Sequence, residues 1–256
     1  MLKVFSYLKK SALSILLIIA LLIVQAICDL SLPDYTSRII NVGVQQGGIE
    51  SAVPEVMRQG KFDDVLLFVD GETKDEILEQ YRLVDKDTLD EEEYEKLVKK
   101  YPALEEEALY LLEDTSSSEK EELEDNLTEP LLIHYMLTAN SEEGKKIEAQ
   151  IKENLPSEMQ EMPLIEILKA MPEEEMEKMR EAANEQFASL PDSIASQSAI
   201  ASIKAEYQAI GMNTDNMQTK YIFISGAKML GIALLSMLTT ISVGSVSYTH
   251  LTLPTT

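Results

Sequence analysis

The sequence predicts an all-α membrane protein fragment: two transmembrane helices flanking a mostly helical, acidic domain. Three observations lead there. Residues 12–28 and 221–246 are strongly apolar. Between them, residues 50–219 hold 43 of the 45 acids but only 16 of the 22 bases, a net charge of −27. Within that acidic stretch apolar residues recur at helical spacing. The mean hydropathy of −0.08 averages these two opposite materials and describes neither.

The charge balance, −23 over 256 residues, excludes a nucleic-acid binder or an anionic-membrane binder acting through bulk charge, because phosphates are repelled. A single Cys excludes an intramolecular disulfide and a multi-cysteine zinc site, and two His make a histidine-rich metal site a poor fit.

Residues 1–11 carry Lys3, Lys9 and Lys10 and no acid. Ala12–Cys28 follows without a charge, and at ~1.5 Å per residue it covers about 25 Å, close to the ~30 Å hydrocarbon core. Asp29 and Asp34 come after it, so the positive-inside rule puts the N-terminus in the cytoplasm. A signal peptide cleaved after Val24-Gln25-Ala26 is the competing reading. Beyond Pro33 the pattern stays helix-compatible, with Asp34 and Arg38 four apart and Ile39, Val42 and Gln46 sharing a face, so one long helix is expected to end at Gly47-Gly48. Gln25, the one strongly polar side chain in the span, is expected to meet a partner helix.

In the acidic region, Thr88 stands three before Glu91 as in a capping box, and Tyr94, Leu97, Val98 and Tyr101 follow at helical spacing. Pro172 precedes EEEMEKMREAANEQF, a helix with acids beside its positive end and Met176, Met179, Ala183 and Phe187 as its stripe. Ile194–Ile210 places Ile200, Ile203, Tyr207 and Ile210 on one face, with Gly211 as the stop. Val65–Val69 is short and apolar, and periodicity leaves strand or helix open. Asp85, Asp87 and Asp90 hint at a calcium loop, but Leu89 and Asp90 stand where its third oxygen ligand and its glycine belong. His134 lies in an apolar run as a core residue. The acidic runs are solvated faces, Asn126-Leu127-Thr128 is a chance-level glycosylation triplet, and there is no internal repeat. No catalytic, cofactor-binding or metal-ligating residue is assigned.

From Tyr221 to Val246 the only charge is Lys228, which can snorkel to the outer interface if the span begins near Met229. Ala227 and Gly231, with Ser236 and Gly244, suit close helix packing. The domains read as residues 1–46 (start, first span and its outward extension), 47–219 (acidic extracellular domain), 220–245 (second span) and 246–256. The last segment contains VSYTHLTLPT, which back-translates without strain to a string resembling a sequencing-library adapter, the alternative being a short polar tail; on the adapter reading native sequence is expected to stop near Gly244 or Ser245, leaving a truncated second span.

LSLPDYTSRIINVGVQQGGIE (Leu30–Glu50), the lysine-rich start, the MPEEEMEKM segment and GMNTDNMQTKYIFISGAKMLGIALLSML (Gly211–Leu238) together resemble bacterial ABC exporter half-transporters, the multidrug-type permease–ATPase chains. The closest likeness is to a subgroup with a large extracellular domain between its first two membrane helices. That resemblance implies an N-terminal part of the exporter's transmembrane domain, multi-pass in the plasma membrane with its N-terminus cytoplasmic. It also implies ATP and Mg bound by the full-length parent, a second half-transporter subunit in a heterodimer or homodimer, contact with membrane lipid, an exported substrate of unspecified class, and no nucleic acid. The departure from the family is plain: none of the ten glycines begins a G-x-x-x-x-G-K-[ST] phosphate loop, and the ABC signature is absent, so no catalytic position carries over and this chain alone is expected to be inactive. The alternative is a two-span receptor with an outside sensing domain and an output module further along.

Overall fold

The computed structural model describes residues 2–138, 142–153, 160–187 and 190–251. It divides into two units, one made of Met1–Gly48 with Asn216–Thr256 and one of Ile49–Asp215.

The first unit holds two helices, α1 (Leu2–Arg38) and α10 (Thr214–Leu251), each long and apolar enough to cross a membrane. Helix α1 runs through Pro33 and then widens into a π-helical segment, Ile39–Gln45. The widening shows in the backbone, where the Gln46 N–H donates to Asn41 O at 3.0 Å and the Gly48 N–H to Val42 O at 2.8 Å. Gly47 (φ 68°) and Gly48 (φ 87°) end the helix, as the sequence predicts, in a conformation that glycine adopts without strain.

The second unit contains β1 (Val56–Arg58), α2 (Gln59–Val65), α3 (Gly71–Glu79), β2 (Tyr81–Val84), α4 (Glu91–Lys100), β3 (Leu109–Leu112), α5 (Ser117–Thr138), α6 (Glu142–Glu153), α7 (Leu164–Lys169), α8 (Glu173–Phe187) and α9 (Asp192–Ile210). It is mostly helical, but the all-α expectation needs correction. The three strands form an antiparallel sheet in the order β1-β3-β2, with Tyr110 of the central strand facing Met57 on one side and Leu83 on the other. Strands of three and four residues are too short to show an alternating pattern, which is why the sequence hid them. Val65–Val69 is no strand either: it closes α2, makes a 3₁₀ turn (Leu66–Phe68) and becomes extended only at Val69.

The core lies between the sheet and helices α2, α5 and α9. Phe62 has its ring 4.8 Å from that of Tyr81 and 5.2 Å from that of Tyr110, and Met57, Leu109, Leu127, Leu131 and Ile203 on these elements are buried as it is. A second cluster joins Phe68, Ile133, Leu164, Leu168 and Met176, with Met179 and Ala183 against it. The predicted stripe of α8 is therefore used, except that the Phe187 side chain lies outside the described residues. Ile200, Ile203, Tyr207 and Ile210 are buried as one face of α9, and Gly211 stops that helix at φ 90°.

Helix starts differ from expectation at one place. Asp90, not Thr88, caps α4: its carboxylate accepts the Glu93 N–H at 2.8 Å. Thr88 instead closes the preceding turn, its Oγ1 accepting the Asp85 N–H at 2.8 Å, while Asp85 Oδ1 accepts the N–H groups of Asp87 and Thr88. A true capping box opens α5, with Glu119 Oε2 accepting the Ser116 N–H at 2.7 Å and Ser116 Oγ accepting the Glu119 N–H at 3.3 Å.

Candidate functional site

Polar side chains meet inside the second unit, where they are buried, and along the helix pair of the first, where they are exposed. In the second unit, α2 brings Lys61 beside α5, and its Nζ lies 2.9 Å from His134 Nδ1. His134 is almost fully buried, with Thr138 Oγ1 3.3 Å from the same ring nitrogen. Burial, reinforced by the positive charges of Lys61 and Lys169, pushes the imidazole pKa down to about 3. The ring is therefore neutral, with Nδ1 accepting from the ammonium. Burial also lowers Lys61, against the pull of Glu206 and Asp64. Lys169 at the end of α7 pairs with Asp64 at 2.7 Å. His134 is thus a core residue, as the sequence suggests, but one engaged by a cation that the sequence did not connect with it.

Close by, β1 and α9 meet through Arg58 and the buried Glu206, with Glu107 3.3 Å from Arg58 Nη1. The segment leading into β1 is fastened by three further bonds. Ala52 N–H donates to Glu124 at 3.0 Å, Glu55 N–H to Tyr207 Oη at 2.7 Å, and Tyr81 Oη–H to Pro54 O at 3.0 Å. These arrangements brace the domain. None of them presents a nucleophile with an adjacent base and an open face.

The surface of the unit holds shallow acidic clefts. One of about 220 Å³ is lined by Glu76, Glu79, Glu119 and Glu122 over Ile77 and Leu123. Another, of about 280 Å³, sets Asp70, Asp125, Glu129 and Glu181 around Arg180, which donates to Leu67 O at 2.9 Å and to Glu177 and Glu173 at 2.7 and 2.8 Å. Asn126 of the glycosylation triplet lies within α5 and lines both clefts. Among the described residues no group of three or more His, Cys, Asp or Glu is arranged to hold a metal ion, and one oxygen each of Asp85 and Asp90 is engaged in turn and cap hydrogen bonds.

In the first unit, α1 and α10 lie side by side and run in opposite directions. The Ser236 hydroxyl donates to Asp29 Oδ1 at 2.6 Å, Thr36 Oγ1 reaches Met229 Sδ at 3.9 Å, and Gln218 Nε2 donates to Val44 O at 3.3 Å. Two glycines stand tight against α10: an added Cβ at Gly43 would be 2.8 Å from Ile222 Cγ1, and one at Gly48 2.9 Å from Met217 O. The glycines that permit the approach are therefore on the α1 side. Gly231 and Gly244, expected to serve packing, face open space, and the half-buried Gln25 sits one turn before Asp29 on the same face.

No protein-family model matches this chain, and neither a curated protein nor a solved structure matches it. What the chain shows of itself is a mostly helical fold with two helices able to span a membrane.

Proposed function

We propose that this chain forms the first two membrane helices of an ATP-driven ABC exporter, together with the acidic domain held between them on the outer face. The observation that carries the reading is the pairing of α1 with α10, two helices of membrane-spanning length joined through a folded domain of residues 49–215. The resemblance of Leu30–Glu50 and Gly211–Leu238 to exporter half-transporters gives that arrangement its function. Lys3, Lys9 and Lys10 before the first span, with Asp29 and Asp34 after its uncharged run, favour a cytoplasmic N-terminus and an external acidic domain.

In this reading the chain supplies scaffold and pathway wall rather than chemistry. ATP and Mg are held by a nucleotide-binding domain that these residues do not contain, since a phosphate loop needs its glycine backbone N–H groups and its Lys to grip the nucleotide. A second half-transporter subunit completes the pathway, and lipid covers the remaining apolar faces of α1 and α10.

One long sequencing read across the genomic locus tests the proposal. The frame is expected to continue past Gly244-Ser245 without VSYTHLTLPTT, through four more apolar spans of ~20 residues, to a G-x-x-x-x-G-K-[ST] loop. A kinase or methyl-accepting helix bundle in that place would favour the two-span receptor, and a stop codon directly after Thr256 would overturn the exporter reading.

A further inference from the structure

Two stretches of chain leave the second unit, residues 49–55 toward α1 and the end of α9 toward α10, and inside that unit they are tied to each other. Consecutive residues of α9 supply the tie. Tyr207 Oη accepts the Glu55 N–H at 2.7 Å, and the Glu206 carboxylate accepts the Arg58 N–H at 3.0 Å and its Nε and Nη2 at 2.8 and 2.9 Å. Glu206 and Tyr207 are each 2 % exposed, so water competes little for these bonds. Both stretches are ordered close to the points where they leave. Ile49, Ala52 and Val53 are buried, and Glu124 holds the Ala52 N–H. Beyond Tyr207 the chain turns at Gly211 (φ 90°), where the N–H groups of Gly211 and Met212 donate to Gln208 O and Tyr207 O at 3.1 and 2.9 Å, and Thr214 is buried.

Inside the first unit the same two stretches continue as a helix pair with a regular seam. Asp29, Thr36 and Gly43 on α1 stand against Ser236, Met229 and Ile222 on α10, one heptad apart on each side, the spacing of coiled-coil packing. The seam reaches Gly48, where an added Cβ would stand 2.9 Å from Met217 O. Bringing α1 onto α10 through an untied chain means closing a loop of residues 49–216. The tie leaves only residues 49–54 and 208–216 between itself and the helices, a loop about tenfold shorter. By the −3/2 power of loop length, that raises the effective concentration of one helix at the other about 30-fold.

We propose that the Glu55–Tyr207 and Arg58–Glu206 bonds form a clasp, by which the acidic domain holds the ends of α1 and α10 together, so that the helix pair and the domain open and close as one. Linkage makes the coupling reciprocal: the factor by which the clasp favours helix pairing is the factor by which pairing favours the fold of the second unit. Glu206 and Tyr207 then brace the domain and also join its two exits. The device needs neither lipid nor nucleotide, and it stands apart from the exporter reading.

The test uses the full chain in dodecylmaltoside micelles and reads the urea transition of the second unit by the near-ultraviolet circular dichroism of its tyrosines. Gly43→Leu puts a side chain where Ile222 already stands, and it lies outside the second unit. It is expected to lower the folding equilibrium constant of that unit by about 10- to 30-fold. Leu13→Phe, at a position of α1 that is 81 % exposed, is expected to leave it unchanged. Disulfide trapping between Thr36→Cys and Met229→Cys, in a Cys28→Ser background, reports whether the pair has opened; where it stays closed, Ser225→Phe, at a buried position of α10, replaces Gly43→Leu. In a chain carrying Glu206→Gln and Tyr207→Phe the effect of Gly43→Leu is expected to shrink, and Glu206→Gln alone serves if the double variant does not fold. An opened pair with an unchanged urea midpoint, or an equal loss from Leu13→Phe, would overturn the clasp. An undiminished effect of Gly43→Leu in the double variant would overturn the part given to Glu206 and Tyr207.

Discussion

Arg58 and Glu206 meet as a two-pronged pair, with Nε 2.8 Å from one carboxylate oxygen and Nη2 2.9 Å from the other. The Arg58 backbone N–H adds a third bond at 3.0 Å, so a single carboxylate on α9 holds both the side chain and the main chain of β1. The two partners are unequal. Glu206 is 2 % exposed, whereas the Arg58 side chain keeps 31 % of its surface in water and a second partner in Glu107.

That inequality predicts unequal costs. Arg58→Met strands a buried carboxylate and is expected to destabilise the domain by about 3–5 kcal/mol. Glu206→Gln keeps an acceptor for the β1 N–H and leaves Arg58 partly solvated and near Glu107, so its cost is expected to be smaller, about 1–2 kcal/mol. Urea titration of the detergent-solubilised chain, followed by the near-ultraviolet circular dichroism of its tyrosines, measures both. Equal losses, or a larger one for Glu206→Gln, would contradict the asymmetry.

The His134–Lys61 contact predicts a dependence on pH. An imidazole whose folded pKa is about 3 stays neutral in the folded domain, while in the unfolded chain it takes up a proton below the ordinary 6.5. Its contribution is therefore complete above pH 6.5 and is lost as pH falls toward 3, at about 1.4 kcal/mol per unit, or about 2 kcal/mol by pH 5. The charged groups around it are Lys61 from α2 and Lys169 from α7; Glu206 and Asp64 in turn act on Lys61, and Asp64 is paired with Lys169. Stability measured between pH 7 and 5 should fall more steeply in the wild type than in His134→Gln, whatever the substitution costs overall. Parallel slopes would show that the buried ring does not govern the window.

Much of this architecture is legible in the residues, and the failures share a cause. The long first helix, its Gly47-Gly48 stop, α8, and α9 with Gly211 follow from local pattern, because a run of ten or more residues repeats its signal several times. The sheet does not, because its three- and four-residue strands become strands only by pairing with one another. The cap on α4 went to Asp90 because Asp85 had already claimed Thr88, a competition that single-residue rules do not weigh. The Ser116–Glu119 box, by contrast, was present as S-x-x-E and could have been read. Neither Lys61–His134, 73 residues apart, nor Asp29–Ser236, 207 apart, leaves any trace in sequence spacing.

Charge repulsion predicts a response to salt. The acidic region carries −27, and several of its ion pairs, Arg82–Glu93, Lys96–Glu92 and Lys178–Glu174 among them, are exposed pairs of small individual worth. Residues 49–215, which pack as a unit around their own core, are expected to fold alone as a helix-rich monomer. Added NaCl screens the like charges over about 10 Å at 0.1 M and should raise the melting temperature. Melting followed by circular dichroism at rising salt checks this, and a fall in melting temperature, or a spectrum without helix, would reject it.

The central claim is that α1 and α10 cross the membrane and hold the acidic domain outside. In a Cys28→Ser background, Ser6→Cys and Ser117→Cys are expressed separately in intact cells and treated with a membrane-impermeant maleimide. Position 117, at the exposed start of α5, should label in intact cells, and position 6 only after the membrane is opened. Labelling at position 6 but not at 117 would contradict the orientation, and a mature chain beginning just after Ala26 would contradict the first span itself.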